Sequence, residues 1–336
     1  MIELKKDDLV FTFPDVHEEA NLRISFQRTL RIPDDDNTYP LPPGLGAFPL
    51  RHVDDFQAGV PGKWLKRGGV LLPMYQSEAM WLNFHSIYPF AIKIAAGKIN
   101  AVSGEDWEDD GLNADTQDYV VVPGQPWLDG YCVDKGHIRQ FVAMPLGSGY
   151  SAEEQITGSA EHGGIQIVAY PIKPEVFERM REKRQGERVT YVCCSAKLGA
   201  PAEAVPDMGL APGGMMKQEI YDDHHDFQDW KKDSFSRCFV HLTNSLVWRS
   251  LTKEEPPTTP PTSAEYTDAG LPWFEYYDES KVALEGGEQL KKLKSVFGLA
   301  KDKGDVPLPE NESVDPEVVI RYRKGLEKDQ VREGVF

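Results

Sequence analysis

The segment IYDDHHDFQDW, residues 220–230, contains the residue types that bind metal ions. Two adjacent histidines, His224 and His225, lie among four aspartates. Imidazole nitrogens and carboxylate oxygens together suit zinc and other divalent transition metals. The sequence therefore has a candidate metal site at Asp222, His224, His225 and Asp226, with a divalent metal as the candidate cofactor.

The geometry of this candidate site depends on the conformation of the segment. In a helix, His225 would share one face with Asp222, Asp226 and Asp229, because residues three, four and seven apart lie on the same side. A complete site of this kind takes further ligands from other segments, and His162 and His241 are the candidates. A solvated acidic turn is the alternative interpretation, and it is favoured because charge clusters beside glycine-rich sequence are most often turns.

A second acidic segment, GEDWEDDGLNADTQD, is a candidate calcium site. Asp106, Glu108 and Asp110, followed by Gly111, match the first half of an EF-hand loop. The second half departs from that pattern, because Gln117 stands where a bidentate glutamate is required. The alternatives are a calcium-binding β-loop and an acidic hairpin insert, and the insert is favoured.

Signals for nucleophilic catalysis are weak. The sequence has no GxSxG motif and no protease signature around its cysteines. His162 precedes two glycines at the start of a predicted strand, where an active-site base can lie. A hydrolytic arrangement would pair Glu161 and His162 with Cys132 or Asp129. A histidine in a turn is the commoner outcome.

The segment GLPWFEYY is the candidate interface. It contains Trp273, Phe274, Tyr276 and Tyr277, and aromatic side chains of this kind anchor protein–protein interfaces. The two interpretations are an arm that grips another subunit and an anchor that packs a long connection against its own sheet. The first interpretation predicts a homo-oligomer.

The charge balance bears on the class of partner. The chain has 37 lysines and arginines against 54 aspartates and glutamates, a formal net charge of −17. So acidic a surface repels phosphate backbones, which argues against nucleic acid and anionic membranes as partners. No stretch reaches the ~18 apolar residues that a membrane helix needs, and no signal peptide is recognisable. With only four cysteines, the sequence predicts a soluble cytoplasmic protein with reduced thiols.

Short strands dominate the predicted secondary structure. Residues 22–32, LRISFQRTLRI, alternate apolar and polar side chains, which predicts a half-buried strand. Residues 126–146 predict a hairpin that turns at residues 134–136. Further strands are predicted at 69–75, 79–84, 89–104 (two strands), 119–122, 165–170, 189–194 and 237–248. So many short strands predict a mainly β fold with an antiparallel β-sandwich or barrel core.

Helices are fewer and lie late in the chain. They are predicted at 174–184, 280–298 and 315–331, from start signals and apolar stripes. Residues 196–219 are predicted as a glycine- and proline-rich connection, and residues 252–279 as a proline-rich stretch ending in the aromatic cluster. The predicted organisation is an N-terminal segment (1–21), a β-rich core domain (22–250), and a C-terminal extension (251–336) whose aromatic arm and two helices dock on the core or on a neighbouring subunit.

Three sequence segments resemble motifs of a known group of proteins. They are YPLPPGLGAFPL (39–50), the segment around QPWLDG (118–158) and PPTTPPTSAEYTDAGLPWFEYY (256–277). With these motifs the chain resembles a microbial family of conserved hypothetical proteins over most of its length. The resemblance implies one integrated unit, and it assigns no activity to any residue.

Three functional hypotheses follow from these patterns. The leading one is a non-catalytic, self-associating protein with a structural or binding role, because long proline-rich connections and aromatic clusters are typical of assembly. The second is a metal-dependent enzyme, hydrolytic or oxidative, on a β-barrel scaffold. The third is a carbohydrate- or small-ligand-binding module that uses exposed tryptophans.

Overall fold

The computed structural model describes residues 1–35, 37–108, 111–113, 115–184, 207–278, 281–306 and 311–323. The chain is mainly β. The strands are β1 (Ile2–Lys5), β2 (Asp8–Thr12), β3 (Asn21–Thr29), β4 (Thr38–Tyr39), β5 (Gly44–Ala47), β6 (Arg51–His52), β7 (Val70–Met74), β8 (Ala79–His85), β9 (Phe90–Ala96), β10 (Ile99–Asn100), β11 (Val120–Val122), β12 (Trp127–Leu128), β13 (Gly130–Asp134), β14 (His137–Pro145), β15 (Ile165–Pro171), β16 (Met208–Lys217), β17 (Ser236–Asn244), β18 (Trp273–Tyr277) and β19 (Val319–Arg323).

The helices are short. They are α1 (Gly62–Arg67), α2 (Ala152–Thr157), α3 (Pro174–Arg184), α4 (Ser245–Thr252), α5 (Ser263–Asp268) and α6 (Val296–Lys303), with single 3₁₀ turns at Val53–Phe56, Phe227–Asp229 and Leu290–Lys292. Within the described ranges, no helix has the length and apolar character needed to cross a membrane.

Two large sheets contain most of the strands. One has ten strands in the order β1-β2-β3-β8-β14-β16-β4, with β5, β12 and β13 paired alongside. The other has seven strands in the order β10-β9-β15-β17-β7-β6, with β11 paired to β9. Strands β18 and β19 form a separate parallel pair. The pairing within the large sheets is antiparallel except for β16 with β4 and β17 with β7.

The core contains side chains from both large sheets. Ile24 and Phe26 of β3, Ile92 of β9 and Ile167 of β15 belong to one continuous cluster of buried apolar residues. In strand β3 the alternation of apolar and polar residues places the apolar side chains on one face, because successive side chains point to opposite faces of a sheet. This face is turned inward, and Leu22 is fully buried. The sheets therefore share one hydrophobic core.

Several sequence-based predictions of local structure are confirmed. Strands β13 and β14 form the predicted hairpin, in which Asp134 pairs with His137 across Lys135 and Gly136. Gly136 has φ of 71°, a left-handed conformation that glycine adopts without steric cost. The helix predicted at 174–184 is α3.

The connection predicted at 196–219 is wrong over its second half, because β16 is a ten-residue strand there. It lies inside the ten-stranded sheet, between β14 and β4. Its glycines are required by close packing, since a Cβ at Gly214 would collide with the Pro33 carbonyl oxygen. The strand predicted at 189–194, with Cys193 and Cys194, lies outside the described residues.

The late helices were also predicted incorrectly. Only α6 overlaps the helix predicted at 280–298, and it begins after Ser295, whose side chain accepts a hydrogen bond from Gly298 N at 3.1 Å. The helix predicted at 315–331 contains β19 instead, because β-branched and aromatic residues find a strand partner in β18. The remainder of that prediction lies outside the described residues. The strand predicted at 237–248 ends at Asn244, where α4 begins.

The C-terminal region packs on the body of its own chain. Leu41 and Phe274 exchange two backbone hydrogen bonds, of 2.8 and 2.9 Å. The Arg28 guanidinium forms a buried ion pair with Glu78 at 2.7 Å and also donates to the Thr258 carbonyl. These contacts fix β18 and the proline-rich stretch against the ten-stranded sheet.

Candidate metal centre and adjoining cleft

Segment 218–230 has little regular secondary structure, and glutamine side chains supply its hydrogen bonds along one edge. Gln125 accepts from Tyr221 N at 3.1 Å and donates to Glu219 O at 3.2 Å. Gln117 accepts from Asp223 N at 2.8 Å and donates to Tyr221 O at 3.1 Å. These side-chain amides therefore substitute for the neighbouring strand of a sheet.

Backbone groups satisfy the opposite edge of the same segment. Asp222 N donates to Val282 O, and Leu284 N donates to Ile220 O, each at 2.8 Å. Residues 219–223 are thus held extended on both sides. The α-helix considered from the sequence is not formed, because residues 219–223 are extended and only a 3₁₀ turn, at Phe227–Asp229, follows.

Asp223 is the most constrained side chain of the segment. Its Oδ2 accepts hydrogen bonds from Tyr119 Oη and Trp230 Nε1, both at 2.8 Å. Its Oδ1 accepts from His225 N at 2.9 Å. Burial, reinforced by the Asp223 carboxylate, raises the pKa of Tyr119 well above its ordinary value. The phenol therefore remains a donor that orients the carboxylate.

Asp223, His224 and His225 form the one group in the described part of the chain with the proximity needed to hold a metal ion. One ligand atom from each lies within 4.8 Å of the others. The two imidazole rings have centroids 4.0 Å apart, and His225 meets the Trp230 ring edge-on at 5.4 Å. Ligand atoms at about 2.1 Å from a tetrahedral ion lie about 3.4 Å apart, so side-chain rotations would have to bring these atoms closer together around an ion.

The predicted ligands Asp222 and Asp226 lie outside this group. Asp222 is exposed, and the carboxylate of Asp226 accepts from Gln228 N at 2.8 Å, where it caps a 3₁₀ turn. Asp223 takes their place. The sequence contained no spacing signal for this choice, since it depends on Tyr119 and Trp230.

The candidate calcium loop surrounds a lysine. The Lys93 ammonium pairs with Asp118 at 2.8 Å and donates to Gly111 O at 2.9 Å and Glu108 O at 3.3 Å. The backbone of Asp106 pairs with Ile99 in an isolated bridge. Asp110 lies outside the described residues. A cationic side chain thus already binds the Glu108 and Gly111 carbonyl oxygens of this loop.

His162 pairs with a carboxylate that the sequence did not suggest. Its Nδ1 lies 2.9 Å from Glu153 Oε1, and Glu153 also accepts from Gly163 N at 2.8 Å. Burial raises the pKa of the proposed nucleophile, Cys132, to about 12, so its thiolate is suppressed. The other proposed partner, Asp129, pairs with Gln218 instead.

His241 is a buried core histidine. Its ring lies against Trp64 at 4.6 Å and Phe239 at 4.5 Å between centroids. Its Nε2 lies 2.9 Å from Gly68 O. Burial lowers its pKa to about 4, so the ring is neutral and fixed by packing.

A cleft of about 170 Å³ opens beside the start of segment 218–230. It is lined by Gly136, His137, Lys217, Gln218, Glu219 and Tyr276. Behind it, Gln218 Nε2 donates to Asp129 Oδ2 at 2.6 Å and Asp129 N donates to Gln218 Oε1 at 3.0 Å. Burial, partly offset by these side-chain contacts, raises the pKa of Asp129 to about 7. Ionisable groups shifted in this way often mark functional clefts.

The predicted interface aromatics have different environments. Trp273 is fully buried in its own chain, whereas Phe274 and Tyr276 are half-buried. Tyr276 packs edge-on against Trp127 with centroids 5.0 Å apart. The side chain of Tyr277 lies outside the described residues. Tyr276 therefore belongs to the wall of the cleft.

We expect Asp129 to make the protein less stable as the pH rises from about 4 to about 7. With a folded pKa of about 7 against an ordinary value of about 3.9, the folded state holds more protons than the unfolded state in this range. The free energy of unfolding should fall by up to about 1.4 kcal/mol per pH unit and level off above pH 7. Urea unfolding of Asp129→Asn should lose this slope, and the exposed control Asp222→Asn should keep it. Equal slopes in both variants would contradict the assignment.

Comparison with known proteins gives no information about these sites. No protein-family model matches the sequence, and no curated protein or solved structure is significantly similar to it. The resemblance to a microbial family therefore stays a prediction.

Proposed function

We propose that this protein binds a divalent transition-metal ion through Asp223, His224 and His225. The observation that carries the proposal is the proximity of the three ligand atoms, all within 4.8 Å of one another. Two imidazoles and one carboxylate are a ligand set that zinc and cobalt accept. The net charge of −17 further favours cation capture.

The surroundings of Asp223 support a site that is oriented before an ion arrives. Metal-binding carboxylates are themselves held by hydrogen bonds, and these outer contacts contribute to affinity. Tyr119 and Trp230 supply such contacts at Oδ2. The hydrogen bond from His225 N to Oδ1 leaves that oxygen a second lone pair for an ion.

Catalysis at the ion is the alternative proposal. Three protein ligands leave a tetrahedral ion one position for water, as in zinc hydrolases. The hydrolytic or oxidative enzyme considered from the sequence remains a proposal of this kind, and metal binding is its precondition.

Removing the two imidazoles should abolish tight metal binding. Calorimetric titration of the chelator-treated protein with Zn²⁺ should give one site, and His224→Ala/His225→Ala should lose it. The control His52→Ala/His85→Ala removes two exposed histidines from other strands and should bind as the unmodified protein does. Tyr119→Phe removes only an outer contact and should weaken binding about tenfold. Unchanged affinity in His224→Ala/His225→Ala would contradict the proposal.

We also infer that the two large sheets pack as a β-sandwich. Support comes from their shared hydrophobic cluster and from the open strand order of each sheet.

Self-association through β19 is a second functional proposal. Among the described strands, β19 pairs only with β18, and an unpaired strand edge is a template for pairing with another chain. Tyr322 in this strand is 54% exposed, and Val318, which precedes the strand, is 43% exposed. Tyr322 stacks on Phe274 at 6.0 Å between centroids. This arrangement supports a second copy of the chain as the partner of β19.

A charge at Tyr322 should dissociate the assembly. Native mass spectrometry of the unmodified protein should give a discrete multiple of 37.8 kDa, and Tyr322→Glu should give the single-chain mass. Ile87→Glu places the same charge at another highly exposed apolar residue and should leave the assembly intact. A single-chain mass for the unmodified protein would rule out self-association.

A further inference from the structure

We propose that the cleft beside Gln218 binds a neutral saccharide, independently of the metal centre. The cleft of about 170 Å³ adjoins a smaller one with which it shares Gln218, Glu219 and Tyr276. Together they make a shallow site open to solvent at one side, a shape suited to a sugar ring or to the end of an oligosaccharide.

One wall of the site is aromatic. Trp127 and Tyr276 meet edge-on, with ring centroids 5.0 Å apart and planes at 65°. Each remains partly accessible to solvent. The C–H face of a pyranose ring is apolar, and it packs on aromatic faces of this kind, while the hydroxyl groups at its rim point to polar neighbours.

The lining also contains polar side chains that can hydrogen-bond with hydroxyl groups. His137 Nδ1 donates to Lys135 O at 2.9 Å, which leaves Nε2 for a ligand. Among the described residues no side chain donates to the Glu219 carboxylate, which leaves it able to accept from hydroxyl groups. Gln218 is fixed by its two hydrogen bonds with Asp129.

The charges at the site favour a neutral ligand over a phosphate. Lys217 is the cation that lines the cleft, and it pairs with Glu275 at 3.4 Å. Arg321 also pairs with Glu275, at 2.7 Å. Because Glu219 adds a negative charge, the site lacks the excess of positive charge that phosphate binding requires.

A proline-rich peptide is the other ligand that packs on exposed aromatic side chains. It presents few hydrogen-bonding groups beyond its carbonyl oxygens. Such a peptide has few hydrogen-bond donors for the Glu219 carboxylate, whereas the hydroxyl groups of a saccharide can donate to it. The lining therefore favours the saccharide, and the peptide is one outcome of the test.

The test is a titration of the full chain with cellohexaose, xylohexaose, mannohexaose and a proline-rich decapeptide. Binding is read by tryptophan fluorescence and confirmed by calorimetry. At least one hexasaccharide should bind saturably at millimolar concentration. Tyr276→Ala should weaken it about tenfold, and Tyr276→Phe, which keeps the ring, should bind nearly as well as the unmodified protein. Phe235→Ala, at an exposed ring that packs on Tyr170 instead, should change nothing.

A further variant keeps the test decisive if Tyr276→Ala fails to fold. His137→Ala alters a partly exposed side chain at the hairpin and should weaken binding several-fold. Absence of saturable binding to every hexasaccharide would overturn the proposal. Tighter binding of the decapeptide than of any hexasaccharide would overturn it as well. So would a saccharide affinity in Tyr276→Ala and His137→Ala equal to that of the unmodified protein.

Discussion

The candidate sites depend on how the backbone of segment 218–230 is hydrogen-bonded. A partly buried segment without a neighbouring strand leaves amide and carbonyl groups unsatisfied, and each such group costs about 1–3 kcal/mol. Gln117 and Gln125 remove that cost along one edge by pairing with residues 219, 221 and 223 in alternation. Residues 282–284 do so along the other edge. Residues 219–223 are consequently extended and held in a fixed register.

This register determines which side chains meet. Asp223 points at Tyr119 and Trp230, and the two histidines that follow it lie beside its carboxylate. At the start of the segment, Gln218 turns toward Asp129 and Glu219 toward the cleft. One irregular segment thus supplies a rigid carboxylate with two imidazoles at one place and polar groups facing an aromatic wall at another. The two proposed sites differ in their ligand atoms and in aromatic surface, so we propose different ligands for them.

The sequence was most informative where local chemistry decides the structure. Strand β3 and the β13–β14 hairpin follow from alternation and from turn residues that need no distant partner. Strand β16 was missed because its glycines are required by a neighbouring backbone, at Gly214, and not by a turn. The candidate metal-binding group lies in the segment that the sequence indicated, but it contains Asp223 instead of Asp222 and Asp226, because Asp223 is the carboxylate that Tyr119 and Trp230 contact. The glutamines had no recognisable pattern, since their roles arise from pairing across about a hundred residues.

We propose that this segment presents Asp223, His224 and His225 to one metal ion. X-ray absorption spectroscopy of the zinc-loaded protein measures that ligand set directly. The spectrum should show scattering from two imidazole rings at metal–ligand distances of about 2.0–2.1 Å, with oxygen ligands completing the coordination. A shell of oxygen ligands without imidazole scattering would contradict it.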